Sequence, residues 1–285
     1  MLQLHYYSIR EKYLNLEDYF ISHFKSVSIG DDGAYLDGYV YSKDAFFENV
    51  HFKTEWMNHY QIASKAMLVN ISDAISMNAK PAYALLCVAM PKSITKIQMR
   101  ELVRGFEDVA KQYGIEIIGG DTIANTKLDI TVTIISKTKK PLYRRGVRKN
   151  DLYAFTGELG KSKKDLLKLF SSGKLNKNSK FVNIKLRDKF IDNTVRFLHA
   201  GMDISDGLFC DLSKMMSVNK TGVEFLKKID KKIGCSGEEY EMLVSFDKRH
   251  RKTLIRRSAV SRTKLTIFAK AKRVKYTSRC KANHF

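Results

Sequence analysis

The apolar positions of the first 137 residues follow two spacings, which together predict a layer of helices on a sheet. Recurrence about every 3.6 residues predicts helices, whereas short apolar runs predict strands. Pro91 closes one apolar run, and Gly114 stands where a helix normally ends. The predicted elements are helices at 6–24, 62–78 and 95–113, a turn into a strand at 29–36, and strands at 39–42, 83–90, 115–118 and 128–136.

The remaining residues carry a weaker pattern that predicts a second domain. A basic, turn-rich stretch at 138–151 predicts a linker between an N-terminal domain at 1–137 and a C-terminal domain at 152–285. The predicted elements after it are strands at 152–157, 222–225 and 242–246 and helices at 162–171, 185–199 and 208–216. We therefore predict an α/β protein of two domains, in which a mixed N-terminal sheet with helices precedes a C-terminal α/β domain. Residues after 246 give no clear pattern.

Composition places the chain among soluble globular proteins. Of its 285 residues 44% are hydrophobic and 28% charged. The longest apolar run, at 82–90, is too short to cross a bilayer, and no signal-peptide pattern opens the chain, so we expect a cytoplasmic protein without membrane contact. The cysteines are widely spaced and lack metal-ligand spacing, which predicts reduced, mostly structural thiols. They are Cys87, Cys210, Cys235 and Cys280.

Positive charge is concentrated at the C-terminal end. The net charge is +21, and residues 248–285 hold fourteen Lys or Arg and no Asp or Glu. Such a tail is compatible with binding to nucleic acid or another anionic surface. A lysine-rich composition without any polyanionic partner is the stronger explanation, and no aromatic and basic RNA-binding signature accompanies the charge. We therefore keep nucleic-acid binding only as an alternative.

Two carboxylates and a hydroxyl converge in the segment 201–208, at the start of an apolar helix. Asp203 and Asp206 flank Ser205, and Gly207 gives the backbone freedom where the helix begins. Like charges this close raise each other's pKa or recruit a cation. The alternative is that one carboxylate simply caps the helix. This segment alone does not decide between the two interpretations.

Other acids in the chain favour the metal interpretation. Asp73 lies on an apolar helix, where burial without a partner is costly. The Gly-Asp-Asp at 30–32 and the Gly-Gly-Asp at 119–121 place backbone N–H groups beside carboxylates, which suits a phosphate bridged by Mg²⁺. Neither a Walker-type loop nor a kinase His-Arg-Asp motif occurs. The acids at turns and strand ends are Asp31, Asp32, Asp44, Asp73, Asp121, Asp203, Asp206, Glu238 and Glu239.

Six short motifs together resemble one known family. They are Gly30-Asp31-Asp32 with Ala34, Asp44 with Val50-His51-Phe52, Val69-Asn70 with Ser72-Asp73, Ile118-Gly119-Gly120-Asp121-Thr122, Met202-Asp203-Ile204-Ser205-Asp206-Gly207-Leu208 with Asp211, and Gly237-Glu238 with Tyr240-Glu241. In this order they are similar to the thiamine-monophosphate kinase family, whose superfamily includes aminoimidazole ribonucleotide synthetase and selenophosphate synthetase. The resemblance spans about residues 28–246, and the six motifs in sequence are specific although each alone is weak.

The resemblance implies a reaction and a set of roles. The reaction is ATP-dependent transfer of a phosphoryl group to thiamine monophosphate, giving thiamine diphosphate, by a homodimer with several Mg²⁺ ions. The implied metal ligands are Asp32, Ser42, Asp44, Asp73, Asp121, Asp203 and Asp206, of which Asp73, Asp121 and Asp203 are also the implied catalytic residues. Gly120, Asp121, Arg144 and Ser205 would contact ATP, and His51 and Glu238 would contact thiamine monophosphate. No general base is required, because the acceptor is already an anionic phosphate oxygen.

The chain departs from the family pattern at several positions. Lys43 stands at a usual threonine ligand, and because an ammonium cannot coordinate Mg²⁺, we predict one ion fewer there and a positive charge from Lys43 instead. Asn49 and Asn78 replace glycines, which asparagine can mimic because it tolerates left-handed backbone angles. The segment 226–236 is shorter than in the family, where this region builds much of the thiamine-ring pocket.

Two alternatives to this function stay open. Another ATP-dependent synthetase of the same superfamily would share the nucleotide and magnesium residues but act on a different acceptor. The motifs around His51 and Glu238 favour the thiamine member. In a different class, a nucleic-acid-binding protein would act through residues 248–285, but acids at a binding surface repel phosphate unless a metal intervenes.

Overall fold

The structure is a computed structural model, and it describes residues 16–280 except 177, 275 and 279. The helix predicted at 6–24 falls largely outside the described residues, and its described part is α1, Leu16–Ser22. The next elements form a layer of five strands and two helices. They are β1 (Ala34–Leu36), β2 (Tyr39–Phe47), α2 (His59–Ser76), β3 (Lys80–Pro91), α3 (Lys96–Tyr113), β4 (Glu116–Asn125) and β5 (Asp129–Lys137).

The first sheet has one face covered by helices and one open face. Its strand order is β1-β2-β5-β3-β4, with only β3 and β4 parallel. In β2 the even-numbered positions from Val40 to Phe46 lie on the side of α2, whereas the odd-numbered ones point to the open face. A capping box of Asn58 and Gln61 begins α2, and such caps contribute about 1 kcal/mol. As predicted, Gly114 ends α3 in a left-handed conformation, with φ 66°.

The second layer also has a five-stranded sheet, but it has more helices and a different strand order. Its elements are β6 (Leu152–Thr156), α4 (Lys161–Phe170), α5 (Asp188–Thr194), β7 (Leu198–Ile204), α6 (Leu208–Asn219), β8 (Gly222–Phe225), α7 (Lys231–Gly234), β9 (Glu241–Phe246), α8 (Arg251–Val260) and β10 (Leu265–Lys272). The sheet order is β7-β9-β6-β10-β8. The predicted mixed α/β class with two sheets is thus confirmed. In the part of the chain that the structure describes, no helix combines the length and the apolar character needed to cross a membrane.

The two layers share one continuous hydrophobic core. Phe46 and Ile62 of the first layer belong to the same buried cluster as Phe181 and Phe246 of the second. The basic stretch at 138–151 bridges the layers through backbone hydrogen bonds: the N–H of Leu142 donates to the carbonyl of Met77 at 3.0 Å, and that of Gly201 donates to Tyr143 at 3.0 Å. This stretch therefore links the C-terminal end of α2 in the first layer to β7 in the second.

Two predicted elements were wrong in length or burial. The helix predicted at 185–199 is only α5, because the buried run from Leu198 pairs with β9 as a strand. The short buried strand predicted at 115–118 is the longer β4, which is an exposed edge strand that includes the Gly-Gly-Asp motif. A Cβ at Gly120 would collide with the backbone carbonyl of Leu86, so glycine allows β4 to pair closely with β3 at this point.

Most of the basic C-terminal segment is folded and does not form a tail. Residues 251–272 supply α8 and β10, and β10 lies between β6 and β8 in the second sheet. Phe268, Ala269 and Ala271 are buried there. The lysines and arginines of this segment therefore surround a short apolar pattern, which is why its periodicity was hard to see in the sequence. Residues 281–285 lie outside the described part of the chain.

The prediction of four reduced thiols was wrong for two cysteines. Cys235 and Cys280 form a disulfide across a sequence separation of 45, with their Cα atoms 5.5 Å apart, whereas Cys87 and Cys210 are free. After β10 the chain turns back over the second layer, where the ring of Tyr276 packs on Phe225 with centroids 5.7 Å apart. This return brings Cys280 to the segment after α7, a proximity that sequence spacing does not reveal.

Candidate active site

Three carboxylates from separate elements meet between the two layers. Asp32 comes from the turn before β1, Asp73 from α2 and Asp203 from β7. One oxygen of each lies within 4.8 Å of the others. This carboxylate cluster consists of three of the seven predicted metal ligands. A set of oxygen donors at this spacing suits a hard divalent cation such as Mg²⁺.

Helix α2 orients the cluster through the serines on either side of Asp73. The hydroxyl of Ser72 donates to Oδ2 of Asp203 at 2.8 Å, and the hydroxyl of Ser76 donates to Oδ2 of Asp32. The backbone N–H of Asp203 also points at Oδ2 of Asp32, at 3.4 Å. One helix therefore fixes carboxylates from two other parts of the chain.

The cluster carries more negative charge than the protein itself neutralises. Burial raises the pKa of Asp73 well above the usual range, and the charges of Asp44, Asp203 and Asp32 raise it further. Burial and the charge of Asp32 likewise raise the pKa of Asp203, against a hydrogen bond from Ser72 that lowers it. Bound cations would relieve this repulsion, so the donor chemistry and the electrostatics both fit magnesium.

Arg144, a predicted ATP contact, lies at the edge of the carboxylate cluster. Its Nε donates to Oδ1 of Asp32 at 2.9 Å, and its backbone N–H donates to Oδ1 of Asp31 at 2.6 Å. A second guanidinium nitrogen also contacts Asp32, which makes the pair a two-point contact. The Arg144 guanidinium is thus held against the carboxylate of Asp32.

Ser42 and Asp44 reach the same region from β2. The backbone N–H of Asp44 donates to Oδ1 of Asn70 at 2.8 Å, and the Ser42 hydroxyl donates to the Asn70 carbonyl at 3.3 Å. The negative charge of Asp44 contributes to the raised pKa of Asp73. Asn70, which shares a motif with Asp73, therefore joins β2 to α2 at the site.

Lys43 does not provide the positive charge that we predicted beside Asp44. Its ammonium donates to the hydroxyls of Thr131 at 3.0 Å and Thr133 at 3.4 Å, on the open face of the sheet. Successive side chains of a strand point to opposite faces, so neighbours in sequence are separated by the sheet. The asparagines behaved as expected: Asn49 and Asn78 adopt left-handed φ values of 65° and 55°.

Asp206 and Ser205 lie in the turn between β7 and α6. The Asp206 carboxylate forms an ion pair with the ammonium of Lys214, and its backbone N–H donates to Oδ2 of Asp211 at 3.1 Å. Burial raises the pKa of Asp211 to about 7, which Lys214 opposes and Asp206 reinforces. Asp206 thus already has a lysine partner, whereas in the carboxylate cluster Asp32 is paired with Arg144 and the buried Asp73 and Asp203 are surrounded by other acids.

A cleft of ≈ 380 Å³ opens beside Ser205 and Asp206 and contains both predicted acceptor contacts. His51 lies on one wall, where its Nδ1 accepts the backbone N–H of Phe47 at 3.0 Å. Glu238 lies on another, and its backbone N–H donates to the carbonyl of Ser205 at 2.6 Å. This hydrogen bond links Ser205, a predicted ATP contact, to Glu238, a predicted contact of thiamine monophosphate.

Several cleft residues were missed at the level of sequence. Trp56 meets the rings of Phe170 at 5.2 Å and Phe181 at 6.3 Å, both edge to face, and gives the cleft an aromatic wall. Lys65 reaches Glu238 from α2. The sequence offered one signal for Lys65, which is a charged residue within the apolar run of α2. It offered none for the aromatic residues, which look like ordinary core positions.

Comparison with known proteins identifies the family. The family model of the AIR synthase related protein, N-terminal domain, matches residues 30–138. The thiamine-monophosphate kinase of Bacillus subtilis is 30% identical over 220 residues, which cover 71% of this chain and 68% of that protein. That of Buchnera aphidicola from Schizaphis graminum is 30% identical over 257 residues, covering 79% and 78%. The chain belongs to the thiamine-monophosphate kinase family.

Solved structures of thiamine-monophosphate kinases share the fold. AaThiL complexed with AMPPCP and TMP superimposes with a TM-score of 0.81 at 21% identity, covering 91% of this chain and 90% of that chain. The thiamine monophosphate kinase from Stenotrophomonas maltophilia gives a TM-score of 0.76 at 23% identity, covering 88% and 89%. The hydrogenase maturation protein HypE has the same architecture, with a TM-score of 0.70 at 15% identity and coverage of 93% and 91%.

Two residues that the thiamine-monophosphate kinase resemblance implies at the site lie elsewhere in this chain. Gly120 and Asp121 are on β4, three strands away from Asp44 on β2, a lateral distance of about 14 Å at the usual strand spacing. Asp121 pairs with Cys87, which in turn pairs with Thr131 on the open face of the sheet, and the Asp121 carboxylate accepts the N–H of Thr122 at 2.8 Å. It therefore does not join Asp73 within one chain.

Proposed function

We propose that the protein transfers the γ-phosphoryl group of ATP to the phosphate of thiamine monophosphate, giving thiamine diphosphate and ADP. The observation that carries the proposal is the position of α2, which reaches from Lys65, the hydrogen-bond partner of the cleft residue Glu238, to Asp73 in the carboxylate cluster, about 12 Å along the helix. An acceptor in the cleft and a metal-bound phosphate chain at the cluster can thus meet end to end. The activity of its relatives supports the same reaction.

The protein residues of the site bind and orient in this proposal, and none of them acts as a general base. Asp32, Ser42, Asp44, Asp73 and Asp203 hold magnesium, which when bound screens the charges of the two polyanionic substrates. Arg144 and Ser205 contact ATP, and His51 and Glu238 contact the acceptor. The aromatic wall around Trp56 excludes water and offers π faces to a cationic ring.

The fit of a further ion at Asp206 is poorer than at the carboxylate cluster. Its carboxylate is already paired with Lys214, so a cation there has to displace an ammonium. Lys214 also lies 3.7 Å from Oδ1 of Asp211. We propose that Asp206 holds an ion only once substrate phosphates attract Lys214 away from it.

We further propose a homodimer that pairs the open faces of two first sheets. Tyr41, Leu85 and Ile123 are exposed there, with Ile123 half uncovered, and such an apolar sheet face is a typical association surface. The dimer gives Gly120 and Asp121 a role, because the partner can bring them to a cluster that they cannot reach in their own chain. We also propose that a linker at 138–151 separates the domains 1–137 and 152–285, and that the protein is cytoplasmic.

Replacing Ile123 by aspartate is expected to dissociate this dimer, since a buried charge at the sheet face would lack a partner. Light scattering coupled to gel filtration should then give the 32.7 kDa of one chain instead of twice that mass. Val260→Asp is the matched control, because Val260 is also apolar and exposed but lies at the end of α8. A wild-type protein that elutes as a monomer would contradict the proposed dimer.

The reaction is tested by incubating the wild-type chain with ATP, thiamine monophosphate and Mg²⁺ and separating the thiamine phosphates. We expect thiamine diphosphate in equal amount to ADP, and none when a chelator is in excess. Turnover with an aminoimidazole precursor but not with thiamine monophosphate would instead assign another reaction of the superfamily. Neither this alternative nor nucleic-acid binding is favoured, because the relatives are thiamine-monophosphate kinases and most of the basic C-terminal segment is folded into the second layer.

A further inference from the structure

One lysine behind the wall of the cleft, Lys65, is fully buried and contacts the cleft residue Glu238. Its exposed fraction is 0%, and it follows the buried Ala63 and precedes the buried Ala66 and Met67 on α2. Removing an ammonium from water is costly unless other groups compensate it. A lysine in such a place therefore requires an explanation beyond helix formation.

The compensation comes from the second layer of the molecule. The Nζ of Lys65 donates to Oε2 of Glu238 at 2.7 Å and lies 3.6 Å from the ring centroid of Phe181. Burial lowers the pKa of Lys65, and the carboxylate of Glu238 opposes that shift. A buried ion pair is a poor source of stability, since apolar residues of similar size often serve as well. A role in placing Glu238 accounts for the pair better.

Glu238 itself is held in an uncommon conformation. Its φ of 54° is left-handed, which a glutamate rarely adopts unless its surroundings enforce it. The main chain is fixed by the hydrogen bond to Ser205, and one side-chain oxygen is fixed by Lys65. The side chain is nevertheless 25% exposed, at the wall of the cleft.

We propose that Lys65 is a positioning residue for the acceptor. It fixes Oε2 of Glu238, so that Oε1 faces the cleft and accepts a hydrogen bond from an N–H donor on the acceptor's ring. This inference rests on the proposed function and deepens it. It also couples the layers: Lys65 shares α2 with Asp73, so the acceptor contact and the carboxylate cluster are set by one rigid element.

The chain carries a built-in probe for this test. Trp56 is its single tryptophan, and it lines the same cleft as Glu238. Titration of Trp56 fluorescence with thiamine monophosphate, without ATP, therefore measures acceptor binding apart from turnover. Steady-state kinetics add KM for each substrate. Wild type, Lys65→Met, Glu238→Gln and the double variant form a double-mutant cycle.

We expect Lys65→Met to weaken acceptor binding and raise its KM by about 10-fold or more while KM for ATP stays within about 2-fold. Lys65→Gln, which keeps a donor, should fall between Met and wild type and remains available if the Met variant does not fold. In the Glu238→Gln background, Lys65→Met should add little. The matched control is Lys272→Met, which breaks an exposed Lys–Glu pair of the same 2.7 Å length with Glu224 and should change neither constant.

Unchanged acceptor binding in folded Lys65→Met and Lys65→Gln would overturn the inference. So would fully additive effects in the double variant, because Lys65 would then act on the acceptor without Glu238. Failure of the proposed function has a separate signature: a wild-type chain that quenches Trp56 on adding thiamine monophosphate yet forms no diphosphate. In that case the titration still decides the role of Lys65.

Discussion

Asparagine at position 73 is expected to abolish phosphoryl transfer and, at the same time, to stabilise the magnesium-free protein. Asp73 is one of the three acids of the carboxylate cluster, and its pKa is raised by burial and by three neighbouring carboxylates. Asparagine has nearly the same shape and removes one of the repelling charges. We expect kcat to fall by more than about 100-fold, since even outer partners of metal ligands cost about 10- to 100-fold.

The sign of the stability change follows from proton linkage. Because the pKa of Asp73 is raised above the ordinary 3.8, the folded protein holds a proton that the unfolded chain has already released. The contribution of Asp73 to stability therefore decreases as pH rises from 3.8 towards the raised value. Asp203 has the same sign. The stability of Asp73→Asn should therefore decrease less with rising pH. At neutral pH the melting temperature of the variant should exceed that of wild type by at least about 2 °C.

Thermal melts between pH 4 and 8, with chelator and with excess Mg²⁺, measure this effect. Magnesium should stabilise wild type strongly and Asp73→Asn weakly, because the variant lacks a ligand. Asp247→Asn provides a control of opposite sign: hydrogen bonds from Arg249 lower the pKa of Asp247 to about 2, so its loss should lower the melting temperature while kcat stays unchanged. Near-normal turnover by Asp73→Asn, or equal stabilisation by magnesium, would contradict the role of Asp73.

The acids of the carboxylate cluster could be recognised in the sequence because each one stands in an unusual local context. Asp32, Asp73 and Asp203 each stand in a segment where a lone carboxylate is unfavourable, either after glycine or on an apolar helix. That local conflict, repeated at three places, favoured a metal site, and the family resemblance implied the set of shared ligands. Ser72 lies within the same motif as Asp73, whereas Ser76 falls outside it and was not predicted at the site.

Residues whose placement depends on strand pairing were predicted less well. Lys43 is adjacent to Asp44 in sequence but points to the opposite face of the sheet, because the strand predicted at 39–42 continues to Phe47 and includes both residues. Asp121 sits three strands away from Asp44, a separation determined by the order β2-β5-β3-β4. Such an order results from long-range packing, and one sequence contains little information about it.

Contacts between distant segments were the least accessible of all. Lys65 and Glu238 are 173 residues apart, and the disulfide of Cys235 and Cys280 depends on how the chain returns after β10. The basic residues after 246 concealed the apolar positions of β10, since Phe268, Ala269 and Ala271 alternate with bulges and charges. In each case the missing information was a tertiary neighbour.

Mixing two inactive variants is expected to restore activity if Asp121 serves the partner's site. Asp73→Asn and Asp121→Asn should each be inactive alone. In a heterodimer, one site then combines both defects, while the other combines the intact Asp73 of one chain with the intact Asp121 of its partner. An isolated heterodimer should therefore show about half of wild-type activity, and a random mixture of the two chains about a quarter.

Asp121 faces the open side of its sheet, about 14 Å from Asp44, and so does not reach the carboxylate cluster of its own chain. Under the proposed dimer it would serve the cluster of the other subunit. Differently tagged chains, co-expressed and purified through both tags, give the heterodimer for steady-state assay. A mixture of Asp73→Asn with Asp203→Asn is the control, because these residues meet within one chain and no intact site can form. Recovery in that control, or none in the Asp121 mixture, would show that the site is not divided between subunits in this way.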